Sequence, residues 1–191
     1  MYEIVRMTFK ETNIVILTLS SIVGALLFLH KDISSLLQYA LVYLILIAML
    51  ATIVCTGHKI KIVEIGVIIF VTVYIFVGFY CLFMLRNFSL SHVAYLLLTI
   101  WFTDSFAYFG GMKFGKNKLS PKISPNKSIE GSVIGSLSSI VIAVLFFNTT
   151  SIFSNLLIAI IVTLIVSVIG QFGDLIESAY KREYQVKDSS N

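Results

Sequence analysis

The sequence predicts an all-α, polytopic integral membrane protein, and three properties of its composition support this. Hydrophobic residues make up 58% of the 191 positions, whereas charged residues make up only 13%. The mean hydropathy is +0.95. Asp, Glu, Lys and Arg are absent from 33–58, 65–85 and 131–173, and a membrane-spanning helix needs about 20 apolar residues. A soluble α/β domain, a disordered chain and a disulfide scaffold are therefore excluded.

We expect about six transmembrane helices in a single membrane domain, 1–191. The charge-free stretch 131–173 is too long for one span, and the polar residues 148–151 divide it into two. The apolar runs do not alternate as the strands of a barrel would. The predicted helices cover 13–29, 36–56, 62–85, 91–109, 131–147 and 152–173. The spans within 1–90 carry no motif, so we expect the chemistry in 91–191.

The basic residues predict the orientation in the membrane. If the amino terminus is cytoplasmic, twelve of the fourteen Lys and Arg residues fall on the cytoplasmic side. Both termini, the loop 110–130 and the tail 174–191 then share that face. A multi-pass protein of the inner (cytoplasmic) membrane is expected. Lipid headgroups explain the positive charge at the membrane edge, so nucleic acid is not an expected partner.

Asp104 lies in an otherwise apolar predicted helix. A carboxylate inside a membrane costs about 2.5–3.5 kcal/mol on insertion scales, so it usually has a partner or a function. Tyr108 follows Asp104 by four residues and shares its helix face. Alternatively, Asp104 lies near the cytoplasmic end of the helix and meets water.

The loop that follows is cationic and stiffened. It contains five lysines between Lys113 and Lys127, together with Pro121 and Pro125, the only prolines in the chain. Lysine charges and backbone N–H groups suit a polyphosphate, and Ser128 is expected to cap the next helix, whose amino end also favours an anion. Alternatively, this is an ordinary positively charged cytoplasmic loop.

The tail combines acidic and basic residues. In a helix, Asp174, Glu177 or Ser178, and Lys181 would share one face, which could hold a divalent cation and phosphates. Alternatively, Glu177 and Lys181 form an ordinary surface pair on a solvated tail. Carboxylates for a metal, lysines for phosphates and apolar walls for a lipid together suggest transfer between a nucleotide and a membrane-bound phosphate.

Three segments resemble motifs of the bacterial phosphatidate cytidylyltransferases, also called CDP-diacylglycerol synthases. Residues 124–131 read SPNKSIEG, which resembles the family's SPNKTxEG stretch. Residues 104–111 read DSFAYFGG, which resembles DTxAYxxGR with Ser for Thr and Gly for Arg. Residues 173–188 resemble the start of the family's carboxy-terminal signature, a GDLxES run followed by KR and KD pairs.

The resemblance implies the conversion of CTP and phosphatidate to CDP-diacylglycerol and pyrophosphate with Mg²⁺, in contact with membrane lipids. A homodimer is a further possible partner state, on which the sequence carries no information. It implies that Asp174 and Asp104 bind the metal. The residues implied for CTP are Tyr108, Lys122, Ser124, Asn126, Lys127 and Glu130. Those implied to act at the catalytic centre with Asp174 are Ser178, Lys181, Arg182, Lys187 and Asp188.

The family's KD pair is followed by a PxHGGxxDRxD run and a final span, which this sequence lacks. We therefore expect a truncated form of the family, and an inactive relic or a non-catalytic membrane assembly partner is the alternative. A transporter or channel should show internal repeats, and none is evident. A related lipid-linked nucleotide enzyme would share the loop but not the substrate.

Overall fold

The computed structural model describes residues 14–28, 35–57 and 60–184, and most of them are helical. The prediction of an all-α fold is confirmed. Its helices are α1 (Ile14–Phe28), α2 (Ser35–Cys55), α3 (Ile62–Phe88), α4 (Leu90–Phe114), α5 (Ile129–Ser138), α6 (Ile140–Thr149) and α7 (Leu156–Glu183). Two short strands, β1 (Lys118–Ser120) and β2 (Ser124–Ser128), join α4 to α5.

Four stretches of the described chain are long and apolar enough to cross a membrane. They are α3, α4, the pair α5–α6 over Ile129–Thr149, and α7, and α2 contributes a shorter apolar stretch over Ala40–Cys55. The chain is thus a multi-pass membrane protein, and the count of six spans stays a prediction.

The predicted helix at 131–147 differs from the structure because a break at Ser139 divides it. The hydroxyl of Ser138 donates to the Gly135 carbonyl at 2.7 Å, and that of Ser139 donates to the Ser136 carbonyl at 2.7 Å. Serine hydroxyls that bond back to the preceding turn compete with the backbone ladder and bend helices. The break therefore has a local cause in the serine-rich sequence.

Three other predicted boundaries were also wrong. The last helix begins at Leu156 rather than at 152, because the Asn155 side chain accepts from the Leu157 N–H at 2.8 Å and caps it. It continues to Glu183, so residues 174–183 of the predicted tail are helical. Helix α4 continues to Phe114, which removes 110–114 from the predicted loop.

The described residues form two compact units, one through Met84 and one from Leu85 onward. The core of the first contains Ile16, Met49, Ile60, Ile65 and Ile68. The core of the second centres on Tyr95, whose ring meets those of Phe146 and Phe153 edge-on, at centroid distances of 5.5 and 5.1 Å.

Within the second unit, α4 and α5 pack with their backbones in close approach. A Cβ added to Gly131 would lie 2.5 Å from the Ala107 carbonyl oxygen, and one added to Gly135 would lie 2.6 Å from that of Thr103. Small residues at such spacing let helices associate closely in membranes. This contact fixes the face of α4 that carries Asp104 relative to the start of α5.

Candidate active site

The cationic loop forms a β-hairpin, which the sequence did not predict. Strands β1 and β2 pair antiparallel, with Lys118 opposite Ser128 and Ser120 opposite Ser124. The turn between them closes with a hydrogen bond of 3.2 Å from the Ile123 N–H to the Ser120 carbonyl. Pro121 occupies the second position of this turn, where its fixed φ is favoured.

The base of the hairpin is held by the first turn of α5. Ser128 caps that helix as expected, accepting from the Gly131 N–H at 3.2 Å. The Glu130 carboxylate accepts from the backbone N–H groups of Lys116 and Asn117 at 3.1 and 3.2 Å. It also accepts from the Asn117 side-chain amide at 2.7 Å. Glu130 thereby ties the segment that leaves α4 to the start of α5.

The hairpin also lies along the last turns of α7. Lys127 forms an ion pair with Asp174, and the Arg182 Nε donates to the Ile123 carbonyl at 3.3 Å. Asp174 and Arg182 are eight helical residues apart, a rise of about 12 Å. Lys127 and Ile123 are four residues apart along the hairpin, about 13 Å. The two contacts therefore have matching separations along the helix and along the hairpin. Strand β2 therefore runs antiparallel to α7.

A cavity of about 640 Å³ lies between the hairpin and helices α4, α5 and α7. It brings together five of the predicted site residues: Asp104, Tyr108, Asn126, Lys127 and Asp174. The other lining residues are Ala107, Gly111, Met112, Lys118, Leu119, Ser128, Ser132 and Gln171. Residues of all three sequence motifs thus meet at one site.

The remaining predicted site residues that the structure describes lie outside the lining of this cavity. Lys122 is exposed in the hairpin turn, and Ser124 begins β2. On α7, Lys181 pairs with Glu177 at 2.6 Å, which is the surface pair considered as an alternative. Ser178 is half-buried on the same helix, and Arg182 contacts the hairpin turn. Lys187 and Asp188 lie outside the described residues.

Gln171 and Ser132 are cavity residues that the sequence reasoning missed. Gln171 is only 8% exposed, and its side-chain oxygen accepts from the Ser132 hydroxyl. Its amide nitrogen donates to the Ser136 hydroxyl at 2.8 Å. One signal was available, because Ala159, Thr163, Ser167 and Gln171 recur every four residues and mark the buried face of α7.

The charges in the cavity are balanced. Asp104 experiences repulsion from Asp174 and attraction from Lys127. Lys127 is the less exposed member of its ion pair, at 29% against 49% for Asp174. Lys118 adds a second cation to the lining. The site thus presents two carboxylates and two ammonium groups to whatever enters it.

The two carboxylates suit a magnesium ion that also contacts a substrate. Mg²⁺ is usually held by one or two carboxylates, waters and substrate phosphates rather than by a cage of protein ligands. Among the described residues, no group of three or more His, Cys, Asp or Glu side chains could hold a metal. Asp104, Asp174 and the Asn126 amide oxygen are donors of the kind that Mg²⁺ prefers.

Comparison with known proteins gives a consistent result. The model of the Cytidylyltransferase family matches residues 1–191. The phosphatidate cytidylyltransferase of Bacillus subtilis is 42% identical over 131 residues, which are 67% of this chain and 49% of that protein. The phosphatidate cytidylyltransferase of Staphylococcus haemolyticus is 40% identical over 116 residues, 61% of this chain and 45% of that protein. The chain spans about half the length of these curated relatives.

Proposed function

The chain belongs to the cytidylyltransferase family, and from this premise we propose that it transfers the cytidylyl group of CTP to phosphatidate. A phosphate oxygen of phosphatidate forms a bond to the α-phosphorus of CTP. The bond from that phosphorus to the bridging oxygen breaks, and pyrophosphate leaves. The products are CDP-diacylglycerol and pyrophosphate.

One observation carries this proposal: Asp104, Asp174, Lys118 and Lys127 line one cavity beside membrane-spanning helices. Two phosphates that react with each other repel strongly, so catalysis depends on neutralising their charges and holding them in line. Ammonium groups can neutralise phosphate oxygens, while carboxylates can hold a cation that bridges them. A cavity with only ammonium groups or only carboxylates could not both bind the phosphate oxygens directly and hold a cation beside them.

Within this proposal, each charged residue of the cavity has a role. Asp174 and Asp104 hold Mg²⁺, which supplies positive charge to the phosphates of CTP when it is bound. Lys127 and Lys118 bind phosphate oxygens, and Asn126 donates or accepts a hydrogen bond at the same edge. Glu130 has an indirect role, since its carboxylate holds the backbone of Lys116 and Asn117 beside the hairpin.

The residues around the cavity extend the proposed CTP site. Lys122 and Ser124 belong to the hairpin and Arg182 contacts its turn. Ser178 and Lys181 lie within the two and a half turns of α7 that follow Asp174. We assign these residues, with Lys187 and Asp188, to the margin of the CTP site, where they contribute positive charge and polar contacts.

The lipid substrate enters from the membrane side. Tyr108 and Met112 are 63% and 64% exposed on α4 and belong to the cavity lining. Their apolar surfaces suit the glycerol and acyl portion of phosphatidate, so we assign Tyr108 to the lipid rather than to CTP. The phosphate of phosphatidate then faces the lysines. We propose that the side of the membrane on which the hairpin lies is the cytoplasmic side of the cell's inner membrane, and that both termini are on that side. A homodimer stays a prediction, which crosslinking in membranes would test.

The decisive experiment is a turnover assay on the purified chain in detergent containing phosphatidate. CTP labelled at the α-phosphate should yield labelled CDP-diacylglycerol only when Mg²⁺ and phosphatidate are both present. Replacing phosphatidate by a polyprenyl phosphate or by diacylglycerol should abolish product. Product from either replacement would assign the chain to a different lipid substrate.

A binding measurement separates substrate recognition from turnover. We expect CTP to bind the chain more tightly with Mg²⁺ than without it, and to bind more tightly than CMP, which lacks the outer phosphates. Binding without turnover would indicate that the 191 residues contain the CTP site but not the whole catalytic centre. An absence of Mg²⁺-dependent CTP binding would refute the proposed function.

A further inference from the structure

A continuous chain of buried and half-buried polar side chains joins three helices next to the cavity. The Thr103 hydroxyl on α4 donates to that of Ser167 on α7 at 2.9 Å. Ser167 donates to the Ser136 hydroxyl on α5 at 3.1 Å. Ser136 also accepts from the Gln171 amide at 2.8 Å, and Gln171 contacts Ser132. Helices α4, α5 and α7 are therefore joined by side-chain hydrogen bonds.

Gln171 ends this chain at the cavity wall, and both ends of its amide are occupied. The oxygen accepts from the Ser132 hydroxyl. The nitrogen donates to Ser136 and, at 3.3 Å, to the Ser132 carbonyl. Three of the four hydrogen-bonding positions of the amide are thus used within the protein. These contacts tie α7 to α5.

The packing of α7 explains why hydrogen bonds between α7 and α5 are needed. Its buried residues Ala159, Thr163, Ser167 and Gln171 are small or polar, whereas its large apolar residues, such as Ile165, Ile169 and Phe172, are exposed. Lipid solvates exposed apolar side chains equally well in any rotation of the helix, so the hydrophobic effect does not fix the orientation. Close packing of the small residues and hydrogen bonds between helices fix it.

Asp174 lies three residues after Gln171, so the two side chains share a face of α7. Ser132 and Ser136 lie on the helix that β2 enters through Ser128, one residue after Lys127. The contacts of Gln171 therefore connect the segment that carries Asp174 to the segment that carries Lys127, less than one helical turn from the ion pair.

We propose that Gln171 is a positioning residue, which sets the rotation of α7 against α5 so that Asp174 faces Lys127 and the cation. This inference rests on the proposed function for the cation. The alignment of Asp174 with Lys127, however, exists without any ligand and can be measured separately. Loss of the Gln171 contacts should turn Asp174 away from Lys127 before it unfolds the bundle.

The test compares Gln171→Leu with Tyr95→Phe. Gln171→Leu keeps a similar size and removes the hydrogen bonds to α5. Tyr95→Phe removes another contact between helices, the 2.7 Å bond from the Tyr95 hydroxyl to that of Thr163, two turns further from Asp174. If Gln171→Leu does not accumulate in membranes, Ser136→Ala replaces it, since Ser136 accepts from Gln171 but does not line the cavity.

The first measurement is the rate at which an amine-reactive reagent acylates Lys127 in the ligand-free protein, followed by mass spectrometry. Asp174→Asn sets the rate for an unpaired Lys127. We expect Gln171→Leu and Ser136→Ala to approach that rate and Tyr95→Phe to remain near the wild type. Equal rates in Gln171→Leu and wild type, or in Gln171→Leu and Tyr95→Phe, would overturn the inference.

The second measurement is the Mg²⁺ concentration that gives half-maximal CTP binding. Loss of a residue that orients a metal ligand typically weakens metal affinity at least about tenfold, and we expect this in Gln171→Leu but not in Tyr95→Phe. CTP binding without Mg²⁺ should strengthen in Gln171→Leu, because Lys127 is freed from Asp174, and should stay near the wild-type value in Tyr95→Phe. If the wild type shows no Mg²⁺-dependent binding, the proposed function fails, and the Lys127 acylation rate still decides the positioning inference.

Discussion

Lys127 in the hairpin pairs with Asp174 on α7, and both side chains line the same cavity. The proposed reaction gives each of them another partner, a phosphate oxygen for Lys127 and a cation for Asp174. The ion pair therefore keeps two opposite charges satisfied in the ligand-free protein. A magnesium–nucleotide complex replaces both partners at once, whereas either ion alone would leave one charge unpaired.

The first prediction follows from this exchange. Asp174→Asn frees Lys127 from its ion pair and removes the proposed metal ligand. Removing a competing interaction of about 1 kcal/mol should strengthen CTP binding without Mg²⁺ about fivefold. The increase in CTP affinity on adding Mg²⁺ should disappear. Isothermal titration with CTP, with Mg²⁺ or with a chelator, measures both effects.

Glu177→Gln is the matched control for Asp174→Asn. Glu177 is also an acid on α7 and pairs with Lys181, but its side chain is 63% exposed and absent from the cavity lining. Exposed pairs of this kind contribute little, so CTP binding should resemble that of the wild type. An Asp174→Asn variant with a normal response to Mg²⁺ would contradict the metal assignment.

The second prediction concerns the close contact of α4 and α5. Gly135→Val inserts a branched side chain where a single Cβ would already lie 2.6 Å from the Thr103 carbonyl oxygen. Overpacking of this kind typically destabilises by about 1–3 kcal/mol. The midpoint of thermal unfolding in detergent should fall. Because the contact supports the cavity wall, Mg²⁺-dependent CTP binding should weaken with it.

Gly78→Ala tests whether any added side chain has this effect. Gly78 lies within α3, and no atom lies within 4 Å of a Cβ built there. Alanine has a higher helix propensity than glycine by about 1 kcal/mol, so this variant should unfold at the same temperature as the wild type or higher. Equal destabilisation by both variants would show that the α4–α5 contact is not specially tight.

The third prediction concerns the hydrogen bonds that the Glu130 carboxylate accepts at the base of the hairpin. Glu130→Ala removes the acceptor of the Lys116 and Asn117 N–H groups. Without this carboxylate the two N–H groups lose their acceptor, so the segment should open to solvent more often. Limited trypsin digestion should cut faster after Lys116, Lys118 and Lys122, while the helical core resists.

Glu64→Ala is the control for Glu130→Ala. Glu64 likewise accepts from a backbone N–H, that of Lys61 at 2.8 Å, but at the start of α3. Its removal should leave the rate of cleavage in the hairpin unchanged. If Glu130→Ala also leaves that rate unchanged, the carboxylate does not hold the hairpin base.

The fourth prediction tests the orientation inferred from the basic residues. In a background with Cys55 and Cys81 replaced by alanine, Lys122→Cys should react with an impermeant maleimide only from the cytoplasmic side. Thr150→Cys, in the segment between α6 and α7, should react only from the opposite side. Labelling of both from one side would show that Ile129–Thr149 does not span the membrane.

The helices were predictable because apolar runs of spanning length occur in few other contexts. The charge-free stretch 131–173 was too long for one span and had to be divided. The segment between α6 and α7 lies at 150–155 rather than at the predicted 148–151, because α6 continues through Thr149. The break at Ser139 was not predictable in the same way, because it contains neither Pro nor Gly. It depends on hydroxyl groups that bond to their own helix rather than to a neighbour.

The site was predictable in its parts but not in its arrangement. Asp104, Lys127 and Asp174 stood out as charges beside long apolar segments, and the structure brings them to one cavity. The β-hairpin gave no signal, since strands of three and five residues rich in Lys, Ser and Pro lack alternating apolar positions. Gln171 was overlooked because a single amide in an apolar helix is ordinary until its partners are known.

The alignment of the hairpin along α7 has a consequence for biosynthesis. The ribosome completes the hairpin before any part of α7 has been made, and chains are synthesised from the amino terminus at about 5–20 residues per second. The face of β2 that contacts α7 therefore has no partner until α5, α6 and α7 have been synthesised and inserted. Lys127 can pair with Asp174 only after these helices are inserted. The site therefore assembles only if α5, α6 and α7 have crossed the membrane in the correct orientation.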